Sequence, residues 1–249
     1  MYRKLLLISL LFIFSSLQGQ NKEFKVYQDL IYESFISNQV SIWEGTLGIM
    51  EASYKENPGP DKLYDIVLAQ YGIVGYYLGF DNDKRGRFHI EKSKPYLEEL
   101  LKTVGYEAQA YAFQSAFYGY EIALSPLKGA MLGPRSNRAA DKAVEYDSDY
   151  VRVWIEKGNI SFYTPSILGG SKSEAVKYYS KAIDIFEKNG IANNHKWLYL
   201  NTLISLAKSY EYIDDVDSAL KIMDKVLEYE PDFKWAKEDY LPGLKSQDD

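Results

Sequence analysis

Few residues in this sequence have the types and spacing that catalytic or metal chemistry requires. The chain contains two histidines, His89 and His195, and no cysteine. Neither histidine belongs to an HExxH motif or lies near a second ligand in the sequence, so a zinc site or a histidine-based triad has no support. The lack of cysteine excludes disulfides, thiolate metal sites and thiol nucleophiles. We therefore predict no metal site and no cofactor.

Motifs for other reactions are missing or incomplete. The sequence contains no GxSxG, GxGxxG or GxxxxGK[ST] motif, which excludes a nucleophile elbow and the common phosphate-binding loops. Asp81 begins a segment like a calcium-binding loop, but Arg85 replaces an oxygen ligand and Lys92 replaces the final glutamate. The segment is more typical of a polar turn that caps the next helix. We predict no catalytic residues, and an enzyme is only a remote alternative.

The overall composition is that of a folded, acidic protein. Lys and Arg number 29 against 35 Asp and Glu, which gives a formal net charge of -6, and 46% of the residues are hydrophobic. A nucleic-acid-binding surface needs an excess of cations, so we predict no nucleic-acid partner. The chain is rich in aromatic residues, with 23 Tyr, 11 Phe and 4 Trp.

The N-terminal residues have the layout of a secretory signal peptide. Arg3 and Lys4 precede an apolar run at residues 5–14, and small and polar residues follow. As a helix, this run spans about 15 Å, roughly half of a bilayer core, so cleavage is favoured over anchoring. We predict that residues 1–19 are a cleaved signal peptide. The mature protein is then expected to be exported, periplasmic or secreted, and not stably inserted in a membrane.

Apolar residues recur with helical periodicity over most of the remaining chain, in segments separated by Gly, Pro and Asn. No long alternating run and no Asn-Gly or Asp-Gly hairpin turn indicates a strand. The sequence therefore predicts an all-α fold. The predicted helices span residues 22–36, 39–56, 61–80, 86–103, 106–124, 135–147, 149–163, 172–188, 194–212, 215–229 and 233–245.

The C-terminal helices carry a repeat motif. Large, small and aromatic residues follow one another at fixed spacing, namely Leu203, Leu206, Ala207, Tyr210, Ala219, Met223, Val226 and Pro231. Small residues such as Ala207 and Ala219 let two helices approach closely, and Pro231 ends the second helix. This pattern resembles the tetratricopeptide repeat (TPR), in which each repeat is a pair of antiparallel helices, A and B.

The resemblance weakens toward the N-terminus. Residues 150–233 match the repeat well, with Gly158 at a small position of helix A. Residues 20–149 resemble degenerate helical hairpins, with a long turn between helices A and B at 125–133. Residues 234–249 are expected to form a capping helix and tail. The resemblance implies a right-handed, all-α TPR-like solenoid of about five helix pairs plus a C-terminal capping helix.

The resemblance also implies where a partner would bind. The inner, concave wall of a TPR solenoid consists of the helix A residues that do not pack against helix B. Carried over to this sequence, the binding residues are Tyr76, Phe113, Phe117, Tyr120, Arg152, Asn159, Phe162, Asn201, Lys208 and Glu211. Such a wall is aromatic in the middle and polar at its C-terminal end, which suits capture of a peptide. The aromatic residues also lie at helical spacing, so they could belong to the core instead.

These features favour an exported binding or scaffold module that recognises a peptide or partner protein in its concave groove. An alternative is a TPR accessory subunit of a periplasmic transport system, which would bind a small apolar ligand. Such subunits are similar in being helical and exported, and often have a Gly-Gly turn like Gly169-Gly170.

We predict that the exported protein begins at Gln20. Its intact mass should equal that of residues 20–249, because signal peptidase removes the segment that carries Arg3 and Lys4. A mass that still includes those two residues would show that the segment is retained as an anchor.

Overall fold

The structure is a computed structural model that describes residues 25–192 and 195–246, and it contains helices and no strand in those ranges. The predicted signal peptide, residues 1–19, lies outside them. Eleven helices follow one another. They are α1 (25–36), α2 (Val40–Glu56), α3 (Pro60–Gly79), α4 (Asp83–Leu100), α5 (Glu107–Leu124), α6 (Gly129–Tyr146), α7 (Val151–Tyr163), α8 (Lys172–Asn189), α9 (Lys196–Glu211), α10 (Val216–Tyr229) and α11 (234–245).

The helices pack as adjacent pairs. The pairs α3–α4, α5–α6, α7–α8 and α9–α10 each join a helix A to its helix B, while α2 packs on α3 and α11 on α10. This arrangement confirms the prediction of an all-α solenoid. Among the described residues, no helix is both long and apolar enough to cross a bilayer.

The C-terminal pair packs as its repeat motif predicts. Leu203, Ala207, Ala219 and Met223 are fully buried where α9 meets α10. Asp215 caps α10, because its side chain accepts a hydrogen bond from the backbone N–H of Ser218 at 3.1 Å. Local capping and close packing of small residues therefore fix this pair.

In the pair α7–α8, three glycines are required by close approach or by backbone conformation. A Cβ at Gly158 would lie 2.5 Å from the ring of Tyr179, so helix A can approach helix B only without one. Gly169 has a φ of +94°, and a Cβ at Gly170 would overlap the carbonyl oxygen of Thr164. The conformation of the loop therefore requires both Gly169 and Gly170.

Two predicted helix starts are wrong. Helix α6 begins at Gly129 and contains Pro134, so the predicted long turn at 125–133 is mostly helical. A short 3₁₀ turn at Pro126–Lys128 already reverses the chain, and a proline in the second turn of α6 removes only one donor. Helix α4 begins at Asp83, not at residue 86. The polar turn before it is confirmed as a cap, since Asn82 accepts from the N–H of Arg85 at 3.2 Å.

We expect Ala219→Leu to overpack the contact between α9 and α10 and to destabilise the protein by about 1–3 kcal/mol. Urea unfolding measures the change. The matched control is Ala52→Leu, an exposed position of α2, which should change stability by less than about 0.5 kcal/mol. Equal effects of the two substitutions would show that the contact between α9 and α10 is not the tight one described.

Candidate functional site

The inner faces of the four A helices, α3, α5, α7 and α9, meet in one core. Tyr71 on α3 lies at its centre. Its ring is 6.1 Å from that of Phe113 on α5, 6.3 Å from that of Trp197 on α9 and 4.0 Å from the guanidinium of Arg152 on α7. One side chain therefore contacts all three other A helices, and the space that a concave groove would occupy is filled.

Arg152 and Glu156 form a buried ion pair inside this core. Their side chains lie 2.6 Å apart and expose almost nothing. The guanidinium packs against the rings of Tyr71 and Phe113, at 4.0 and 4.1 Å. Asn159 donates to Glu156 at 3.0 Å. Burial raises the pKa of Glu156, while the charge of Arg152 opposes that rise.

Both histidines pack against polar side chains of neighbouring helices. The Nε2 of His195 lies 2.7 Å from the hydroxyl of Tyr64, and burial together with the charge of Arg152 lowers the pKa of His195 to about 4. The ring nitrogens of His89 face Gln70 and Glu44 at 3.0 and 3.1 Å. Burial lowers its pKa to about 4 as well. Within the described ranges, no group of three potential metal ligands comes together.

The N-terminal helices close the remaining opening of the inner face. The ring of Phe35 on α1 lies 6.1 Å from that of Trp197 and 4.9 Å from that of Phe233. Trp43 on α2 contacts Trp197 at 5.0 Å, above Gly72 of α3, where a Cβ would lie 2.5 Å from Trp43. The first helices thus meet the last ones. No repeat position in the sequence indicated this closure.

An open cleft lies between α4 and α5, away from the inner core. Its volume is about 190 Å³. Ile90, Leu97, Leu101 and Phe117 provide the apolar part of its lining, and the polar part comes from Ser93, Lys94, Glu98, Gln114, Tyr118 and Glu121. Of the predicted binding residues, only Phe117 is among these. Sequence reasoning missed the α4 side of the cleft, although Ile90, Leu97 and Leu101 recur at helical spacing.

Among the solved structures that resemble this chain, one covers most of its length. It is TTC0263, described as a thermophilic TPR protein in Thermus thermophilus, with a TM-score of 0.54 over 89% of this chain and 96% of that chain. The fold is a TPR-like solenoid. The two chains are 17% identical, so the likeness concerns the fold alone. No family model and no curated protein matches this chain.

The prediction of an open aromatic wall in this TPR-like solenoid is wrong for Phe113, Phe117, Arg152 and Phe162. Each exposes 6% or less of its surface. Arg152 is buried among the A helices, and Phe162 packs against Tyr212. Phe113 belongs to the core, which was the alternative left open by the sequence. Phe117 faces the cleft beside α4.

The other six predicted binding residues are partly buried, namely Tyr76, Tyr120, Asn159, Asn201, Lys208 and Glu211. Tyr120 donates to the carbonyl oxygen of Tyr71 at 3.1 Å. Helix α11 covers the polar end of the wall: Tyr240 donates to Glu211 at 2.7 Å, and Lys208 lies over the rings of Trp235 and Tyr240. Binding by these six residues stays a prediction.

We expect Phe113→Ala to reduce stability by about 3–5 kcal/mol, because it removes a fully buried ring and leaves a cavity. Thermal unfolding followed by far-UV circular dichroism measures the loss. Phe80→Ala is the matched control, since Phe80 is 50% exposed, and it should change stability by less than about 1 kcal/mol. An unchanged melt for Phe113→Ala would restore the open-wall interpretation.

Proposed function

We propose that this TPR-like protein is an exported scaffold that holds a partner protein at the cleft between α4 and α5. The observation that carries the proposal is the contrast between the two surfaces. The inner face is closed by Tyr71, Arg152 and Trp197, whereas the cleft offers about 190 Å³ of open space over an apolar floor. Export follows from the signal-peptide layout of residues 1–19 and is part of the proposal.

The chemistry of the cleft suits a large apolar side chain of the partner. Leu101, which is partly exposed, and the edges of the largely buried Leu97 and Phe117 supply the apolar part of the lining, and binding energy at interfaces concentrates in such pockets. Glu98 and Gln114 at its rim offer hydrogen-bond acceptors and a donor. A partner segment with one apolar anchor and flanking amide or hydroxyl groups would satisfy both parts.

A second candidate is the binding of a small apolar ligand, as in an accessory subunit of a periplasmic transport system. The volume of the same cleft favours it, because a space of this size accepts a small ring compound. The Gly169-Gly170 pair gives it no independent support, since the geometry of the loop requires both glycines. Within the described residues, no three potential metal ligands come together, and we propose no enzymatic activity.

Filling the cleft tests the proposed function. Gln114→Trp places a large ring at the edge of the cleft without removing any core contact, and Gln109→Trp puts the same ring elsewhere on α5. A photo-crosslinking amino acid at Tyr118, which lines the cleft, should capture a partner protein in the native cell envelope. We expect Gln114→Trp to reduce that capture at least about tenfold and Gln109→Trp to leave it unchanged, with both proteins melting as the parent does.

Two outcomes would contradict the scaffold. Equal capture by both tryptophan variants would show that the cleft is not the contact surface. A Tyr118 adduct whose added mass is that of a small molecule, with no protein attached, would favour the transport subunit.

A further inference from the structure

One edge of the solenoid presents large apolar side chains at the tips of two neighbouring turns. Helices α5 and α7 are both A helices and pack side by side, so the turns that follow them lie at the same edge. In the turn after α5, Leu127 is 96% exposed. In the turn after α7, Ile167 is 92% and Leu168 is 73% exposed. Isolated exposed leucines are common, but fully exposed apolar tips on adjacent turns form a surface.

The loop after α7 holds its apolar tip in a defined shape. The N–H groups of Leu168 and Gly170 both donate to the carbonyl of Pro165, at 2.9 and 3.1 Å, and the N–H of Ser171 donates to Ser161 at 2.9 Å. With the positive φ of Gly169, these bonds turn the loop so that Ile167 and Leu168 point outward. The exposure therefore comes from an ordered loop and not from a lack of structure.

The charges of these two turns have one sign. Residues 125–135 and 164–173 contain Lys128, Arg135 and Lys172 and no Asp or Glu, in a chain whose net charge is -6. Arg135 is exposed, and so is Arg138 one turn farther along α6.

The other two cations of these turns have local partners. Lys128 pairs with Glu121 at 2.7 Å. Lys172 donates to the carbonyl of Phe162 and lies over its ring. Acidic residues lie in the turns after the other two A helices, with Asp81 after α3 and Asp214 and Asp215 after α9. The free positive charge of the edge is therefore that of the arginines on α6.

We propose that this edge docks on an anionic lipid surface, with Leu127, Ile167 and Leu168 inserted among the headgroups. A protein partner would have to supply a separate pocket for each tip, whereas a bilayer accepts several tips at one level and needs no complementary shape. Arg135 and Arg138 then supply the exposed positive charge that attracts the lipid phosphates. This surface is distinct from the cleft between α4 and α5, so a scaffold held at a membrane could still bind its partner there.

Vesicle binding of the exported protein tests the proposal. The parent protein and two variants, all beginning at the same residue, are sedimented with two kinds of vesicle. One kind contains phosphatidylcholine alone, and the other also contains phosphatidylglycerol. We expect the parent to bind the anionic vesicles, to bind the neutral ones at least about tenfold less, and to be released by salt. Leu127→Ser with Ile167→Ser should reduce binding at least about tenfold. Val104→Ser should not, because Val104 is 90% exposed on the opposite edge.

A fluorescent label provides a second, site-resolved readout. Because the chain has no cysteine, Leu127→Cys and Val104→Cys each create a single labelling site for an environment-sensitive dye. On anionic vesicles, the emission should shift to the blue for the label at position 127 and stay unchanged for the label at 104.

Three results would overturn the proposal. Absence of vesicle binding by the parent is the first, and equal shifts for the two labels are the second. The third is a shift at position 127 that appears without vesicles and depends on protein concentration, which would identify the edge as a contact between two copies of the chain.

Discussion

Arg152 carries a positive charge into the centre of the molecule, and the packing of the four A helices accommodates it. Removing a guanidinium from water costs several kcal/mol unless a carboxylate and hydrogen bonds compensate. Glu156, one turn away on the same helix, supplies the carboxylate at 2.6 Å, and the rings of Tyr71 and Phe113 pack against the guanidinium. Any displacement of α3 or α5 would uncover this charge, so the ion pair and the convergence of the helices depend on each other.

Because the inner faces of the A helices are buried, a partner must bind to other surfaces of the protein. In an open solenoid the inner wall is the natural groove, but here Tyr71 and Trp197 occupy it. Helix α1 then joins the two ends of the chain, through the ring contact of Phe35 with Phe233 and the hydrogen bond from Tyr32 to Glu230. The accessible surfaces include the cleft between α4 and α5 and the edge formed by the turns after α5 and α7.

Glycines define where this packing is tight. Gly72 admits Trp43 and Trp197 to the surface of α3, and Gly158 admits the ring of Tyr179 to the surface of α7. In both places a large aromatic residue lies where the partner helix has no side chain. The high aromatic content of the sequence is thus largely accounted for by contacts between helices, and fewer rings are left for a ligand than composition alone suggested.

The sequence by itself determined the helical class, most helix bounds and the register of the last repeat. These properties depend on neighbours close in the chain, such as the cap of Asp215 on α10 and the small residues Ala207 and Ala219. It failed at the start of α6, because the chain already reverses at Pro126–Lys128 and the helix continues through Pro134, a residue type that ordinarily kinks or ends a helix beyond its first turn.

Only the tertiary structure decided whether the predicted inner wall is exposed. Helical spacing gives the face on which Phe113 or Arg152 lies, but not what stands opposite that face. The answer depends on the curvature of the whole array and on contacts between distant segments, such as Trp43 with Trp197 and Phe35 with Phe233. A repeat motif describes only the contact between successive helices. The closure of the inner face depends on a contact between the first helices and the last ones, so the motif does not predict it.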